Sequence, residues 1–375
     1  MNSLGLYIHI PWCIQKCPYC DFNSHALKSE FPEQLYIETL LADLRHDLSL
    51  LNAPSIISSI FIGGGTPSLF SAQAFENLLT GISQLIPLQQ DLEITLEANP
   101  GTFESQKFVD YRAIGINRLS IGIQSFNNSH LKSLGRIHTA EEAITAVKIA
   151  QRSGFEKLNL DLMFGLPRQS KQQMLDDVKT AINLNPGHLS FYQLTLEPNT
   201  YFHKFPPGLP EGDQIYAGQI QCQQLLAEAG YQQYEISAYA KNGQTCQHNL
   251  NYWKFGDYLG IGAGAHGKLS LSKPDNIIRS IKAKSPEIYL QNNSASLTKI
   301  PFAELPLEYL MNQLRLKSGF TLSDYQSITG LTTETLEPGL SSCLSEGLLI
   351  KSNQHFCCSD KGWNFVDSVL EKFIP

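Results

Sequence analysis

Apolar residues come in short bursts along the first half of the chain. Residues 4–10, 57–62, 92–97, 117–123, 157–162 and 188–194 are runs rich in β-branched or large apolar side chains, the composition of buried strands. Between them, residues 34–48, 72–85, 140–152 and 172–184 repeat apolar positions at three- and four-residue spacing, which predicts amphipathic helices. Six strand–helix repeats read as a parallel sheet covered by helices, either a partial barrel or a doubly wound sheet.

Past residue 201 the rhythm fades. Residues 205–210 are rich in Pro and Gly and predict a loop, 213–229 a helix and 232–237 a further strand. Residues 268–299 read as an irregular connection. From 301 onward, helical spacing at 303–316 and 333–346 precedes two strand-like runs, 348–351 and 355–358, and a last helix through 373. Helices followed by a small hairpin resemble a winged-helix module. The expected α/β architecture is a partial (β/α)6 barrel over 1–235, an extension over 236–300, and a small α+β, winged-helix-like C-terminal domain over 301–375.

The chain has 375 residues, 42% of them hydrophobic and 17% charged, enough to build a substantial core. Its formal charge of −7 argues against a general nucleic-acid binder, which needs a basic surface. No apolar run approaches the roughly 18–20 residues of a membrane span. The first nine residues lack the charged and apolar regions of a signal peptide, so a cytoplasmic location is expected.

Three of the eight cysteines fall close together, in Cys13-Ile-Gln-Lys-Cys17-Pro-Tyr-Cys20, just after the first predicted strand. In a reducing compartment clustered thiols point to metal or redox chemistry rather than disulfides. Thiolates are the usual ligands of iron–sulfur clusters, and a [4Fe–4S] cube normally takes four. Three ligands from one loop would leave one iron open to a small molecule. A structural zinc is the plainer alternative, with His9, Asp21 or His25 as the fourth ligand.

In a barrel of parallel strands, chemistry collects at the C-terminal ends of the strands. The cysteine loop follows the first strand and Gly63-Gly64-Gly65-Thr66-Pro67 the second. The third ends in Glu97, the fourth in Gln124 and Ser125; the fifth carries Asp161, and the sixth runs into Thr195 and Glu197. Adjacent glycines leave backbone groups open to a ligand. Glu97 and Asp161 can accept hydrogen bonds from an ammonium group or ribose hydroxyls. Singly, a glycine run is usually a tight turn and a strand-end carboxylate often a helix cap. Their recurrence at successive strands is what points to a site.

The C-x3-C-x2-C loop with an aromatic before its last cysteine, followed by Gly-Gly-Thr-Pro, resembles the radical S-adenosylmethionine family. More narrowly, the order Tyr7, Cys13, Cys17, Tyr19, Cys20, Gly64, Gly65, Thr66, Glu97, Gln124, Arg136 and Asp161 resembles the oxygen-independent coproporphyrinogen III oxidase family over most of the chain. The resemblance implies that Cys13, Cys17 and Cys20 hold a [4Fe–4S] cluster, whose open iron is chelated by the amino and carboxylate groups of S-adenosylmethionine. It implies that Tyr7, Gly64 and Glu97 contact this molecule. Tyr19, Gly65, Thr66, Gln124, Arg136 and Asp161 match positions around a second one, and Thr195 another such position.

Two departures from the oxidase pattern resemble instead the haem-chaperone branch of that family, which lacks the oxidase activity. Only twelve residues precede Cys13, where the oxidase has a longer arm, and Phe22 stands where the oxidase has a further cysteine. His248-Asn249-Leu250-Asn251-Tyr252-Trp253 also matches the H-N-x-x-Y-W motif of that branch. Imidazole is a common axial ligand of haem iron, and Tyr252 and Trp253 offer flat faces to a porphyrin. A buried histidine beside two core aromatics is the bland alternative, and Cys246 is a lesser candidate ligand.

The resemblance thus implies a haem chaperone that passes haem to acceptor proteins, respiratory ones included. The alternative is an oxidative decarboxylase of coproporphyrinogen III. Gly262-Ala-Gly264-Ala-His266-Gly267 fits a dinucleotide-binding pattern, but no helix follows it, so a close-packed turn is expected. The six basic and two acidic residues of 268–299 read as a solvated linker, or as a patch for porphyrin carboxylates or an anionic membrane surface. The acidic tail beyond 301 argues against a DNA-reading winged helix.

Overall fold

Strands β1 (Asn2–Ile10), β2 (Ser55–Gly64), β3 (Leu88–Ala98), β4 (Arg118–Gln124), β5 (Lys157–Phe164) and β6 (His188–Gln193) lie side by side in sequence order, each parallel to the next. This arrangement is seen in a computed structural model that describes residues 1–27, 31–101, 106–241 and 243–375. Leu4, Leu6, Ile8 and Ile10 share one face of β1 and are all buried, and His9 on the other face is buried too, so both faces of the strand are covered. Leu6 pairs with Ile60 and Ile8 with Ile62 across the β1–β2 ladder.

The crossovers are helices α1 (Glu33–Leu48), α2 (Ala72–Leu85), α3 (Phe108–Ala113), α4 (Ala140–Arg152) and α5 (Lys171–Leu184). Their starts follow capping chemistry. Ser71 caps α2, and Thr139 with Glu142 and Ser170 with Gln173 form capping boxes on α4 and α5. The short α3 escaped the periodicity argument because six residues carry too little pattern.

The sheet does not stop at six strands. β7 (Gln232–Glu235) and β8 (Ala238–Ala240) continue it beyond β6 in the order β6-β8-β7, antiparallel. Helix α6 (Gly212–Glu228) packs on α5. After α7 (Gln247–Trp253), strand β9 (Tyr258–Ile261) adds to the outer edge of β1, in parallel, pairing Gly260 with Tyr7.

The expected irregular linker at 268–299 is instead folded. Strands β10 (His266–Ser272), β11 (Asn276–Ile281) and β12 (Ser296–Lys299) extend the sheet antiparallel from β9, with α8 (Pro286–Gln291) between the last two. Two of its lysines are not solvated: Lys268 is 2% and Lys282 1% exposed. Lys268 pairs with Asp257 at 2.8 Å, and Lys282 with Asp43 and Asp47. Lys282 looks like a linker residue in sequence because its partners are distant in the chain. The glycine pattern before it is indeed a packed turn. Gly262, with φ of +106°, sits against the His9 carbonyl where a Cβ would be only 2.3 Å away.

The C-terminal segment packs helices α9 (Leu305–Gln313), α10 (Leu322–Thr329) and α11 (Gly339–Ser345) on a small sheet. That sheet comprises β13 (Phe320–Thr321), β14 (Leu349–Ser352) and β15 (His355–Cys358), with β15 central. The expected helix over 333–346 breaks into a short 3-10 turn and α11 at Pro338, which cannot continue a helical hydrogen-bond ladder. Its core of Tyr309, Phe320, Tyr325 and Phe356 is continuous with Phe255 and Ile277 of the extension.

Candidate active site

The C-terminal ends of β1 to β6 open on a cavity of about 460 Å³. Cys13, Cys17, Tyr19, Cys20, Gly64, Gly65, Thr66, Glu97, Gln124, Arg136 and Asp161 all line it. Residues from six different strand ends therefore meet as the barrel reading expects.

The cysteine loop is held at several points. Trp12–Cys13 pairs in parallel with His25–Ala26, and the Leu27 amide donates to the Cys13 carbonyl at 2.9 Å. Lys16 Nζ donates to the carbonyls of Phe22 and Ser24, closing the loop on itself. The Phe202 amide donates to the Pro18 carbonyl at 3.0 Å and Gln15 Nε2 to that of Gly135 at 3.2 Å, tying the loop to the opposite rim. Burial raises the Cys13 and Cys20 thiols, while the Thr66 and Ser24 hydroxyls beside Cys13 favour its thiolate. Arg136 Nη1 lies 3.7 Å from Cys17 Sγ.

The glycine turn is built against this loop. The Gly65 amide donates to the Ile10 carbonyl and the Thr66 amide to the Trp12 carbonyl, each at 2.7 Å. A Cβ on Gly65 would lie 2.5 Å from the Trp12 carbonyl oxygen, so only glycine permits this approach. Gly64 has φ of +114°, and its amide donates to Glu97 Oε2 at 2.9 Å. Burial, reinforced by the charge of Asp161, pushes the Glu97 carboxyl up to about 7, against the opposing Gly64 amide.

The far wall carries a polar lattice. Arg136 Nη2 donates to Asn99 Oδ1 at 2.6 Å and to the Gly122 carbonyl, and Asn99 Nδ2 donates to Thr66 Oγ1. Tyr192 OH donates to Gln124 Oε1 at 2.9 Å. Gln124 itself has φ of +69°, a conformation a side chain adopts only under constraint. Asn99 and Tyr192 were not singled out from the sequence. Tyr192 sits two residues inside a predicted strand end, where alternation alone could have flagged it. Thr195 also lines the cavity and donates to Glu197 Oε1.

Two predicted residues lie elsewhere. Tyr7 is behind the cavity wall, its hydroxyl 2.9 Å from His9 Nδ1. His9 Nε2 in turn meets the Asn23 carbonyl at 2.8 Å, so this candidate fourth zinc ligand has both ring nitrogens engaged. His25 Nε2 is 3.1 Å from the Lys284 carbonyl.

His248, on α7, is fully buried beneath β1 and β2. Its Nδ1 is 2.9 Å from Ser59 Oγ and its Nε2 2.7 Å from Tyr252 OH. Burial and the nearby Arg118 push it down to about 3, so it stays neutral. Tyr252 also borders a hollow of about 150 Å³ lined by Trp253, Phe255, Tyr258, Lys268, Arg279 and Asn312.

Residues 7–181 match the Radical SAM superfamily and residues 301–365 the HemN C-terminal domain. The chain is 49% identical to the heme chaperone HemW of Escherichia coli, covering 100% of this chain and 99% of that protein. It is equally 49% identical to the heme chaperone HemW of Haemophilus influenzae, at 100% and 98% coverage. Its fold is similar to that of coproporphyrinogen III oxidase (HemN) from Escherichia coli, a radical SAM enzyme, with a TM-score of 0.83 at 22% identity, covering 100% of this chain and 90% of that one. With near-half identity along its full length and the cysteine-bordered cavity at the strand ends, the chain belongs to the HemW heme chaperone family of the radical SAM superfamily.

Proposed function

We propose that this protein is a haem chaperone that binds haem and transfers it to haem-accepting proteins, respiratory ones among them. A radical SAM domain implies a [4Fe–4S] cluster and S-adenosylmethionine. The observation that carries the reading is the meeting of three thiols, the glycine turn and Glu97 on one cavity, in a chain similar end to end to curated haem chaperones.

The donor set fits the cofactors. Cys13, Cys17 and Cys20 supply three thiolates, and Arg136 and the Ser24 and Thr66 hydroxyls offset their charge. The Gly64 turn and Glu97 would hold the amino and carboxylate end of S-adenosylmethionine, with Tyr7 bracing His9 behind them. Tyr19, Gly65, Thr66, Gln124, Arg136 and Asp161 bound the rest of the cavity. When bound, the cluster and its ligand supply one-electron chemistry at a sulfonium C–S bond.

Helix α7 is the haem-contacting element. His248 is held by Ser59 and Tyr252, so ligation through one ring nitrogen requires the hydrogen bond at that nitrogen to be given up while the other can remain. The aromatic hollow beside Tyr252 and Trp253 supports porphyrin contact there.

The protein works in the cytoplasm, and respiratory acceptors bring it to a membrane surface, where the exposed Lys273, Lys284 and Lys299 supply positive charge that attracts anionic headgroups. No helix among the described residues is long and apolar enough to cross a membrane.

Coproporphyrinogen III oxidation is the competing reading. Phe22, 58% exposed at the cavity rim where the oxidase pattern has a cysteine, speaks against it. Reduced, anaerobically reconstituted protein given S-adenosylmethionine and coproporphyrinogen III is expected to yield no protoporphyrinogen IX while binding haem stoichiometrically. Enzyme-like turnover overturns the chaperone reading.

A further inference from the structure

A chain of buried hydrogen bonds leads from the cavity to the helix that carries His248. It begins at Asp161, which lines the cavity. Asn159 Nδ2 donates to Asp161 Oδ1 at 2.7 Å, and Ser120 Oγ donates to Asp161 Oδ2 at 3.2 Å. Asn159 Oδ1 lies 2.6 Å from His188 Nδ1. His188 Nε2 lies 2.8 Å from Tyr234 OH, and Tyr234 OH accepts from the Cys246 amide at 3.3 Å. Cys246 is the N-cap residue immediately before α7.

The proton positions along this chain are forced. The Asp161 carboxylate can only accept, so Asn159 must turn its NH2 toward it and its carbonyl oxygen toward His188. His188 must then carry its proton on Nδ1 and accept at Nε2, which fixes the Tyr234 hydroxyl as donor. Every donor points toward Asp161, so each bond polarises the next. Asn159 and His188 are each 2% exposed, leaving little room for water to substitute. Burial and the Arg118 charge keep His188 well below its ordinary pKa, which preserves this single-proton state.

A second carboxylate grips the same helix start. Glu93 Oε1 accepts from the Gln247 amide at 2.8 Å and from the His248 amide at 3.4 Å. Arg118, 3% exposed, sits in the field of Glu93 and Asp161 together. The cavity floor and the α7 N-terminus are therefore one electrostatic unit.

We infer that occupancy of the cavity at Asp161 is transmitted through Asn159, His188 and Tyr234 to α7, so that S-adenosylmethionine and haem bind with linked affinities. A hydroxylated ligand that engages Asp161 competes for the lone pairs Asn159 uses, which weakens the polarised chain and loosens the α7 start. His188 and Tyr234 are positioning residues: they touch neither ligand. This inference rests on the chaperone reading above for its second ligand.

The test uses the full-length, cluster-reconstituted protein. Haem is titrated with and without saturating S-adenosylmethionine, and hydrogen exchange of the 246–253 amides is followed on adding S-adenosylmethionine alone. The expected results are a haem affinity changed at least fivefold by S-adenosylmethionine, within the usual range of coupling, and faster exchange in α7. Tyr234→Phe keeps the ring but removes the link. It is expected to bring the affinity ratio to about one and abolish the exchange response, with haem affinity in the absence of S-adenosylmethionine shifted toward the value the unmodified protein shows in its presence. His188→Gln, which retains one donor and one acceptor, is expected to restore part of the coupling, and serves if Tyr234→Phe fails to fold. An unchanged haem affinity together with unchanged α7 exchange in the unmodified protein overturns the inference, as does full coupling in Tyr234→Phe. Absence of any haem binding overturns the chaperone reading instead. The exchange response, which needs only S-adenosylmethionine, still decides whether the relay operates.

Discussion

Lys282 Nζ donates to Asp47 Oδ1 at 2.8 Å, and both side chains are buried. Asp43 pairs with the same ammonium group and also accepts from Tyr289 OH and the Gly262 amide. One lysine from the end of β11 thus ties the extension to α1 and to the turn after β9. Burial is the main cause that pushes the Asp43 carboxyl up to about 6, against the pull of Lys282.

Lys282→Met is expected to destabilise by about 3–5 kcal/mol, because it leaves two carboxylates buried without their cation. The loss has a pH sign. A carboxyl whose folded pKa is raised holds its proton longer in the folded state, so stability falls as pH rises through about 6. Denaturant midpoints for the variant should therefore fall further below those of the parent at pH 8 than at pH 5. A pH-independent difference would show that the carboxylates find other compensation.

On the proposed reading, Glu97 gives a pH dependence to cofactor binding. Its carboxyl, pushed up to about 7, is largely protonated at pH 6 and largely ionised at pH 8. The N–H donors of the ligand's amino group select the ionised form, which is the better acceptor. S-adenosylmethionine affinity should then rise about tenfold between pH 6 and pH 8 and level off above. Calorimetry of the reconstituted protein reads this directly. In Glu97→Gln the slope should vanish and the affinity stay low.

Gly65→Ala tests the seam between the glycine turn and the cysteine loop. The added methyl would meet the Trp12 backbone, which cannot swing aside as a side chain could. The expected cost is about 1–3 kcal/mol, with reduced iron retention after reconstitution. Thermal unfolding and iron content check both, and a fully loaded, equally stable variant would show that the loop is looser than its hydrogen bonds imply.

His248 gives opposite outcomes on its two sides. His248→Ala is expected to weaken haem binding at least tenfold and to remove any imidazole signature from the haem spectrum. Ser59→Ala removes the partner of Nδ1 and leaves the ring held by Tyr252 alone, so haem binding should tighten although the protein loses about 1 kcal/mol of stability. Unchanged haem affinity and spectrum in His248→Ala would take this residue out of the haem site.

Local sequence determined much of this molecule. Strand cores such as residues 57–62 declare themselves through β-branched runs, and helix starts such as Thr139 and Ser170 through capping boxes. The cysteine spacing and the polar residues at strand ends were enough to bring together about half of the cavity wall, because a parallel barrel brings its strand ends together whatever the loops do. Only the tertiary structure revealed that 268–299 forms strands, that His248 is locked against Ser59, and that Asn159, His188 and Tyr234 link the cavity to α7. The reason is common to all three. Each depends on a polar or charged side chain buried against a partner remote in sequence, Lys282 against Asp43 across 239 residues and Ser59 against His248 across 189. Hydrophobic periodicity reports which face of an element is buried, whereas a buried hydrogen bond is specified by two residues that nothing in the local pattern connects.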